Sequence, residues 1–94
     1  MLTLKINNGL NLGIERFEEK VRLVVLENKK ELACRKETFG NLHKFIAANK
    51  AHAFKGRLQL FKHRDIINVE VKGEKLGAVA VNKFGDCLSK LKSE

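Results

Sequence analysis

The stretch that decides the fold is RLQLFKHRDIINVEVKGEKLGAVAV, residues 57–81. Along its start the side chains alternate, so that Leu58 and Leu60 share one face while Gln59 and Phe61 share the other. A period of two is typical of a half-buried β-strand. The same alternation returns in DIINVEVK, and KLGAVAV follows after the turn KGEK. We therefore predict three consecutive antiparallel strands in this part of the chain.

The first half of the chain gives a similar pattern. We predict four strands here, each separated from the next by a polar turn: LTLKI, LNLGIER, KVRLVVLE and ELACR. Apolar stripes with helical spacing follow both runs of strands, at Phe39, Leu42, Phe45 and Ile46 and again at Phe84, Cys87, Leu88 and Leu91. Thr38 and Asn82 are the predicted N-caps of these two helices.

The resulting order, β-β-β-β-α-β-β-β-α, indicates the α+β class. We expect a curved antiparallel sheet built from two ββ(β)α pseudo-repeats, with the helices on one face. A chain of 94 residues suits a single domain spanning 1–94, with pseudo-repeats at about 1–50 and 55–94.

Two Phe-Gly pairs suggest an internal duplication. The same spacing separates Phe39 from Phe84 and Gly40 from Gly85, and each pair opens a predicted helix. Glycine in a helix costs about 0.5–1 kcal/mol relative to alanine, so its use twice suggests a close neighbour of the helix backbone. We expect that neighbour to be the sheet or the other repeat; a phosphate at a helix N-terminus is the alternative. Two generic strand-strand-helix units would also give such a pattern.

The charge of the chain favours polyanionic partners. The formal net charge is +8 and the isoelectric point is about 9.8. Such a field attracts nucleic acid, an acidic protein face or an anionic membrane surface, although small basic proteins also use positive charge for solubility alone. No membrane span or signal peptide is predicted. Cys34 and Cys87 are expected to be buried, reduced thiols, which implies a reducing, cytoplasmic location.

The basic residues concentrate in one window. Positions 38–64 contain six Lys or Arg residues, all three histidines and no acid. If Leu58 and Leu60 face the core, the opposite face of that strand presents an aromatic ring flanked by donors, a combination that suits nucleic acid. The predicted sheet residues of this interface are Arg57, Gln59, Phe61 and His63. The predicted phosphate contacts are Lys50 and Lys55, in the connection that also holds His52, and Lys62 and Arg64, which reach around the strand end. The alternative is that a helix or a dimer partner covers Phe61 and that the cations form a solvated rim.

Two resemblances to known families point the same way. LGAVAVNKFGDCLSKL resembles the last strand and helix of a PUR or Whirly-type repeat, with Phe84 and Leu88 in its Phe-x-x-x-Leu pattern. Such repeats pair into one domain and bind single-stranded DNA or RNA on their sheets. The second half of this chain shows three predicted strands, one fewer than such a repeat. GRLQLFKHRDIINVEVKG is similar instead to the second wing hairpin of the double-wing DNA-binding domain of a phage middle-promoter activator, which implies duplex DNA.

The sequence evidence for an enzyme is weaker than the evidence for nucleic-acid binding. Asp65, Glu70 and Lys72 match the D-x4-E-x-K pattern in which carboxylates of a nuclease hold Mg²⁺, but an exposed cross-strand salt pair looks the same. There is no Gly-rich phosphate loop and no nucleophile elbow, and the histidines lack metal-ligand spacing. We therefore expect no enzyme activity, no cofactor and no metal.

The sequence thus predicts a non-catalytic nucleic-acid-binding protein, with DNA favoured over RNA, that serves as a transcription or replication accessory factor. The alternative is a small basic adaptor or inhibitor that binds an acidic protein. A homodimer or another protein partner stays open, and no membrane partner is expected.

Overall fold

The computed structural model describes residues 1–94, and the alternating segments form two antiparallel sheets, one from each half of the chain. The first sheet has the strand order β1-β2-β3-β4. Its strands are β1 (Leu2–Asn7), β2 (Leu10–Phe17), β3 (Lys20–Glu27) and β4 (Lys30–Thr38). Helix α1 (Phe39–Ala47) follows directly. The α+β class predicted from the sequence is therefore confirmed.

The second sheet contains four strands, where the sequence predicted three. Its order is β5-β6-β7-β8, with β5 (Lys50–Ala53), β6 (Leu58–His63), β7 (Ile66–Val71) and β8 (Glu74–Ala80), and α2 (Val81–Lys92) follows. The extra strand is β5, which the sequence assigned to a connecting loop. Its two inward residues, Ala51 and Ala53, are too small to give the apolar signal of a strand, and pairing with β6 defines it instead.

The two helices start in different ways. Thr38 caps α1 as predicted, because its hydroxyl accepts a hydrogen bond from the Asn41 amide at 3.1 Å. The prediction that Asn82 caps α2 is wrong. The N-cap is Ala80, two residues earlier, and the helix begins at Val81, whose N–H donates to the Asp65 carbonyl at 2.9 Å. Asn82 accepts only from the adjacent Lys83 amide.

Buried side chains from both sheets and both helices form one continuous cluster. Leu12, Ile14 and Leu23 contribute from the first sheet, and Leu60 and Val69 from the second. Helix α1 contacts β4, β5 and α2, whereas α2 contacts β1, β2 and β8. Burial of this shared apolar surface is the main favourable term that holds the two halves together.

The two halves repeat each other in backbone detail. Each last hairpin carries one extra residue at the same place in the register, Leu32 in β4 and Leu76 in β8. The Phe-Gly pairs do not correspond in this way. Phe39 is the first residue of α1 and is half-buried, whereas Phe84 is the fourth residue of α2 and is fully buried. The shared strand pattern and bulge, rather than these letters, relate the two halves.

The matched glycines serve no common purpose. A Cβ added to Gly40 would meet nothing within 4 Å, so the expected close neighbour is absent there. A Cβ on Gly85 would lie 3.5 Å from Ile46 of α1, which is ordinary contact with the other repeat. The glycine that the fold requires is Gly77, with φ +150° and its backbone against Ile6, where β8 passes β1.

The cysteine prediction holds for only one of the two residues. Cys87 is buried on α2, and burial raises the pKa of its thiol. Cys34 is exposed, so its predicted burial is wrong. It lies opposite Val24 on the face of the first sheet that points away from the buried cluster, and the sequence alternation of β4 is obscured by the bulge at Leu32. Both thiols are free.

Candidate nucleic-acid interface

A stacked pair of rings stands on the face of the second sheet that points away from the core. The cross-strand register aligns His52, Phe61, Asn68 and Ala78 in one row across β5, β6, β7 and β8. The His52 and Phe61 rings are parallel, with 4.2 Å between centroids and 8° between planes. His52 covers the side of the Phe61 ring toward β5, and Asn68 of β7 is the neighbour of Phe61 on the other side. As predicted, Phe61 and Gln59 lie opposite the buried Leu58 and Leu60.

Gln59 fixes the imidazole in this stack. Its Oε1 lies 2.8 Å from His52 Nε2, and its Nε2 donates to the Gly56 carbonyl at 3.2 Å. Because the Gly56 carbonyl can only accept, the amide oxygen of Gln59 must point to the ring, and His52 must therefore carry its proton on Nε2. Gln59 thus serves the stack as an orienting group.

The next row supplies charge on one side of the rings. Lys50, His63, Ile66 and Ala80 are aligned across the four strands. Lys50 and His63 are exposed. A cleft of about 360 Å³ lies between this row and the rings, with Phe61, Asn68 and the buried Lys62 also on its walls. A lysine and an exposed imidazole beside an aromatic stack suit a ligand with both a phosphate and a flat ring.

The loop between β5 and β6 supplies charge at the other end of β6. Lys55 and Arg57 are exposed there; Lys55 was predicted as a phosphate contact and Arg57 as a sheet residue. The Arg57 carbonyl accepts from the Lys72 amide at 2.8 Å, which ties this loop to the turn between β7 and β8. The predicted residues Gln59, Phe61 and His63 are therefore brought together along β6, whereas Arg57, predicted on the sheet, lies in the loop that precedes it. Lys50 and Lys55 lie near the two ends of β6.

Lys62 is the predicted contact that the structure does not place at the surface. Its side chain is only 5% exposed, and Nζ donates to the Ala48 carbonyl. The residue shares the inward face of Leu58 and Leu60, and the chain that leaves α1 covers the end of β6. The expectation that Lys62 reaches around the strand to a phosphate is therefore wrong.

Arg64 keeps its predicted exposure in the turn between β6 and β7. Its φ is +57°, and its N–H donates to the Asn49 carbonyl at 2.8 Å. Arg64 follows His63 in the chain but does not line the cleft. The candidate interface also contains an acidic residue that the window 38–64 does not include. Glu70 of β7 lies directly opposite Gln59.

Cations in the two halves have different partners. All three ion pairs of the structure lie in the first half, where Arg22 binds Glu15 at 2.8 Å and Glu31 at 2.7 Å, and Arg16 lies 3.9 Å from Glu19. The hydrogen bond from Arg22 lowers the pKa of Glu31. No cation of the window 38–64 has a carboxylate partner within 4.0 Å. The window cations are thus unneutralised, and so are first-sheet cations such as Arg35 and Lys36, which take part in no ion pair.

The first sheet has no copy of the ring stack. Its matching row consists of Thr3, Gly13, Val24 and Cys34. Gly13 occupies the position that Phe61 has in the second sheet, and Met1 and Val24 fill the space beside it. In the same alignment of β2 with β6, Lys62 occupies the position of Ile14. Because Ile14 is fully buried, this position faces the core, which explains why Lys62 points inward.

Sequence reasoning missed the parts that other strands bring to Phe61. His52 was assigned to a loop, although the alternation of KAHA contained a weak strand signal. The alternation of DIINVEVK puts Asn68 on the face opposite Val69, but nothing in the sequence marked it as a neighbour of Phe61. Its Oδ1 is buried without a hydrogen-bond partner, which costs about 1–3 kcal/mol and marks the floor of the cleft as polar.

The nuclease pattern does not form a site. Asp65 and Glu70 stand at opposite ends of β7, roughly 16 Å apart for five residues of extended chain. Two carboxylates at that separation do not hold one ion. No cluster of three or more His, Cys, Asp or Glu side chains is placed to bind a metal.

No protein-family model, curated protein or solved structure matches this chain. Neither of the two helices has the length and apolar character needed to cross a membrane.

Proposed function

We propose that this chain is a non-catalytic protein that binds single-stranded nucleic acid on the outer face of its second sheet. The observation that supports the proposal is the preformed His52–Phe61 stack among cations that have no carboxylate partner. An aromatic platform stacks a base for about 1–3 kcal/mol, and the neighbouring cations attract phosphates.

A single strand fits this surface better than a duplex. The rings of the stack are reached through a cleft on a sheet face, and a base must present its own flat face to them. Bases within a duplex are covered on both faces by their neighbours, whereas unpaired bases can be splayed out. Only Lys44 of the six window cations lies on a helix, so no helix presents these cations together to a groove.

The family resemblance adds support. Each half contains four strands followed by a helix, which is the strand count that the PUR and Whirly-type resemblance implies. DNA is favoured over RNA because it is the ligand common to both resemblances. The same resemblances support a role as a transcription or replication accessory factor, and the two free thiols support a reducing, cytoplasmic setting.

The experiment that tests this proposal maps the bound surface. A ¹H–¹⁵N NMR titration with a mixed-sequence single-stranded oligonucleotide should shift the amides of His52, Phe61 and Asn68. The matching row of the first sheet (Thr3, Gly13, Val24 and Cys34) is a control within the same molecule and should not move. Shifts confined to the first sheet, or no shifts at low salt, would refute the proposal.

A second candidate function has one observation in its favour. Ile66 lies beside His63 on the same face and is 45% exposed. An apolar side chain inside a basic rim also suits an acidic protein partner, because interface centres are apolar and their rims are polar. Ile66→Ser should then weaken the protein complex while leaving oligonucleotide binding unchanged.

A further inference from the structure

We propose that the loop between β5 and β6, residues 54–57, is a phosphate-binding site, and that Arg35 from the first sheet forms one wall of it. The site is distinct from the ring stack. The sequence predicted Lys55 as a phosphate contact and Arg57 as a sheet residue of the interface, and it gave no role to Phe54, Gly56 or Arg35.

The backbone of the loop is shaped to receive an anion. Phe54 has φ +74°, a left-handed conformation that is strained for an aromatic residue. The following residues return to negative φ, and such an alternation is how main-chain N–H groups are turned toward one concavity. The N–H groups of Lys55, Gly56 and Arg57 donate to no other group of the protein. Three consecutive donors are thus free to bind.

One carbonyl of the loop is held by another group. The Gly56 carbonyl accepts from Gln59 Nε2 at 3.2 Å, and the same Gln59 contacts His52 through its oxygen. This bond engages a carbonyl oxygen whose partial negative charge would otherwise be free to oppose an anion. It also couples the conformation of the loop to the ring stack on the sheet.

Arg35 reaches the loop from β4. Its guanidinium lies over the Phe54 ring, 5.3 Å from the centroid, so the strained residue is also the support of a cation. Its Nη1 is close enough to the backbone that a Cβ added to Gly56 would lie only 3.2 Å away. Arg35 takes part in none of the ion pairs, which leaves its donors available.

The ligand chemistry follows from these groups. Free N–H donors, two exposed loop cations and a planar guanidinium together suit a tetrahedral oxyanion with several acceptors, which describes a phosphate group. That group could belong to a nucleic-acid backbone, which rests on the proposed function, or to a free phosphate compound. The short loop joins β5 to β6, the strands that carry His52 and Phe61, so the first source would place one phosphate beside a stacked base.

The test uses inorganic pyrophosphate as the probe, because it needs no assumption about nucleic acid. In a ¹H–¹⁵N titration of the full chain at low salt, pyrophosphate should shift the amides of Lys55, Gly56 and Arg57 in a saturable manner. Arg35→Gln should weaken this binding by about tenfold or more, the scale of a lost charge-assisted hydrogen bond. Lys36→Gln is the matched control: it removes the same charge from the adjacent residue, whose Nζ lies over Phe17 instead, and should bind as the wild type does.

The outcomes distinguish whether the phosphate site exists from whether its phosphate belongs to nucleic acid or to a free compound. Saturable loop shifts that Arg35→Gln abolishes support the site, and equal loss in Lys36→Gln or no loop shifts would overturn it. A single-stranded oligonucleotide then identifies the source. If Arg35→Gln weakens oligonucleotide binding and lowers its salt slope by about 0.7, the phosphate belongs to nucleic acid. If pyrophosphate binds but the oligonucleotide does not, the site stands as one for a free phosphate compound, and the proposed function fails separately.

Discussion

The imidazole of His52 is stacked on the phenyl ring of Phe61 across two neighbouring strands, with 4.2 Å between their centroids. Gln59 holds the imidazole in place from the same strand as Phe61. A platform that is ordered before the ligand arrives loses less side-chain entropy on binding. The stack therefore offers a pre-organised surface for a flat ring, and it lies outside the buried cluster that stabilises the fold.

Removal of the Phe61 ring should separate binding from folding. Phe61→Ala should weaken single-stranded oligonucleotide binding by about 1–3 kcal/mol, or roughly 5- to 150-fold, because the stacking surface is lost. Fluorescence anisotropy measures this change. Leu60→Ala, one residue away but fully buried, should instead lower the free energy of unfolding by about 2–5 kcal/mol. A larger loss of stability in Phe61→Ala than in Leu60→Ala would contradict the assignment of faces.

Two lysines of the same window should behave in opposite ways. Lys62→Met removes the donor to the Ala48 carbonyl, so the free energy of unfolding measured with urea should fall by about 1–3 kcal/mol. Lys50→Met alters an exposed residue, so stability should change by less than about 0.5 kcal/mol. Its effect should appear in binding, as a salt slope smaller by about 0.7. Reversed effects would show that Lys62, rather than Lys50, is the surface cation.

The two thiols should differ in reactivity. Cys34 is exposed, whereas Cys87 is buried and has a pKa raised by that burial, so less of it is thiolate near neutral pH. A thiol reagent at neutral pH should therefore label Cys34 rapidly and Cys87 only slowly, as followed by mass spectrometry. Cys34→Ser should remove the fast phase alone. A fast phase that survives in Cys34→Ser would mean that α2 does not pack as described.

The Arg22–Glu31 pair predicts a pH dependence of stability. Its hydrogen bond lowers the pKa of Glu31 below the ordinary value of 4.5. The stabilisation is therefore fully present above about pH 4.5 and is lost as the pH falls through the lowered value. Glu31→Gln should be less stable than the wild type at pH 7, and the difference should shrink in acid. Urea unfolding across this range measures it, with Glu19→Gln, a 94% exposed side chain, as the variant expected to show no such trend.

Strand alternation predicted much of the fold because it depends on burial of one face. The positions of Leu58, Leu60, Phe61 and Gln59 follow from that rule alone. It failed for β5, whose inward residues are alanines, and for Asn82, because the start of α2 is fixed by a carbonyl at Asp65, far away in sequence. Contacts between segments that are distant in sequence determine both strand β5 and the start of α2. The residues in and around these elements do not reveal such contacts.

The candidate site shows the same limit. The basic and aromatic residues of the site could be recognised in the acid-free window 38–64. The residues that contact them lie in other segments of the chain. Asn68 reaches Phe61 through strand register, and Arg35 reaches Phe54 from the other sheet. Lys62 was misplaced because a long, flexible side chain allowed either direction, and the chain that follows α1 decided it. Residue types could be predicted from the sequence, but these contacts could not.

The measurement that tests the central claim most directly is a fluorescence anisotropy titration of the wild-type chain at two salt concentrations. The probes are labelled single-stranded DNA, the same sequence as a duplex, and the matching single-stranded RNA. The account predicts the tightest binding to the single-stranded DNA, with affinity that falls steeply with salt at a log-log slope of about −0.7 for each phosphate bound. Preference for the duplex, or no binding to any probe at low salt, would contradict it and would direct attention to an acidic protein partner.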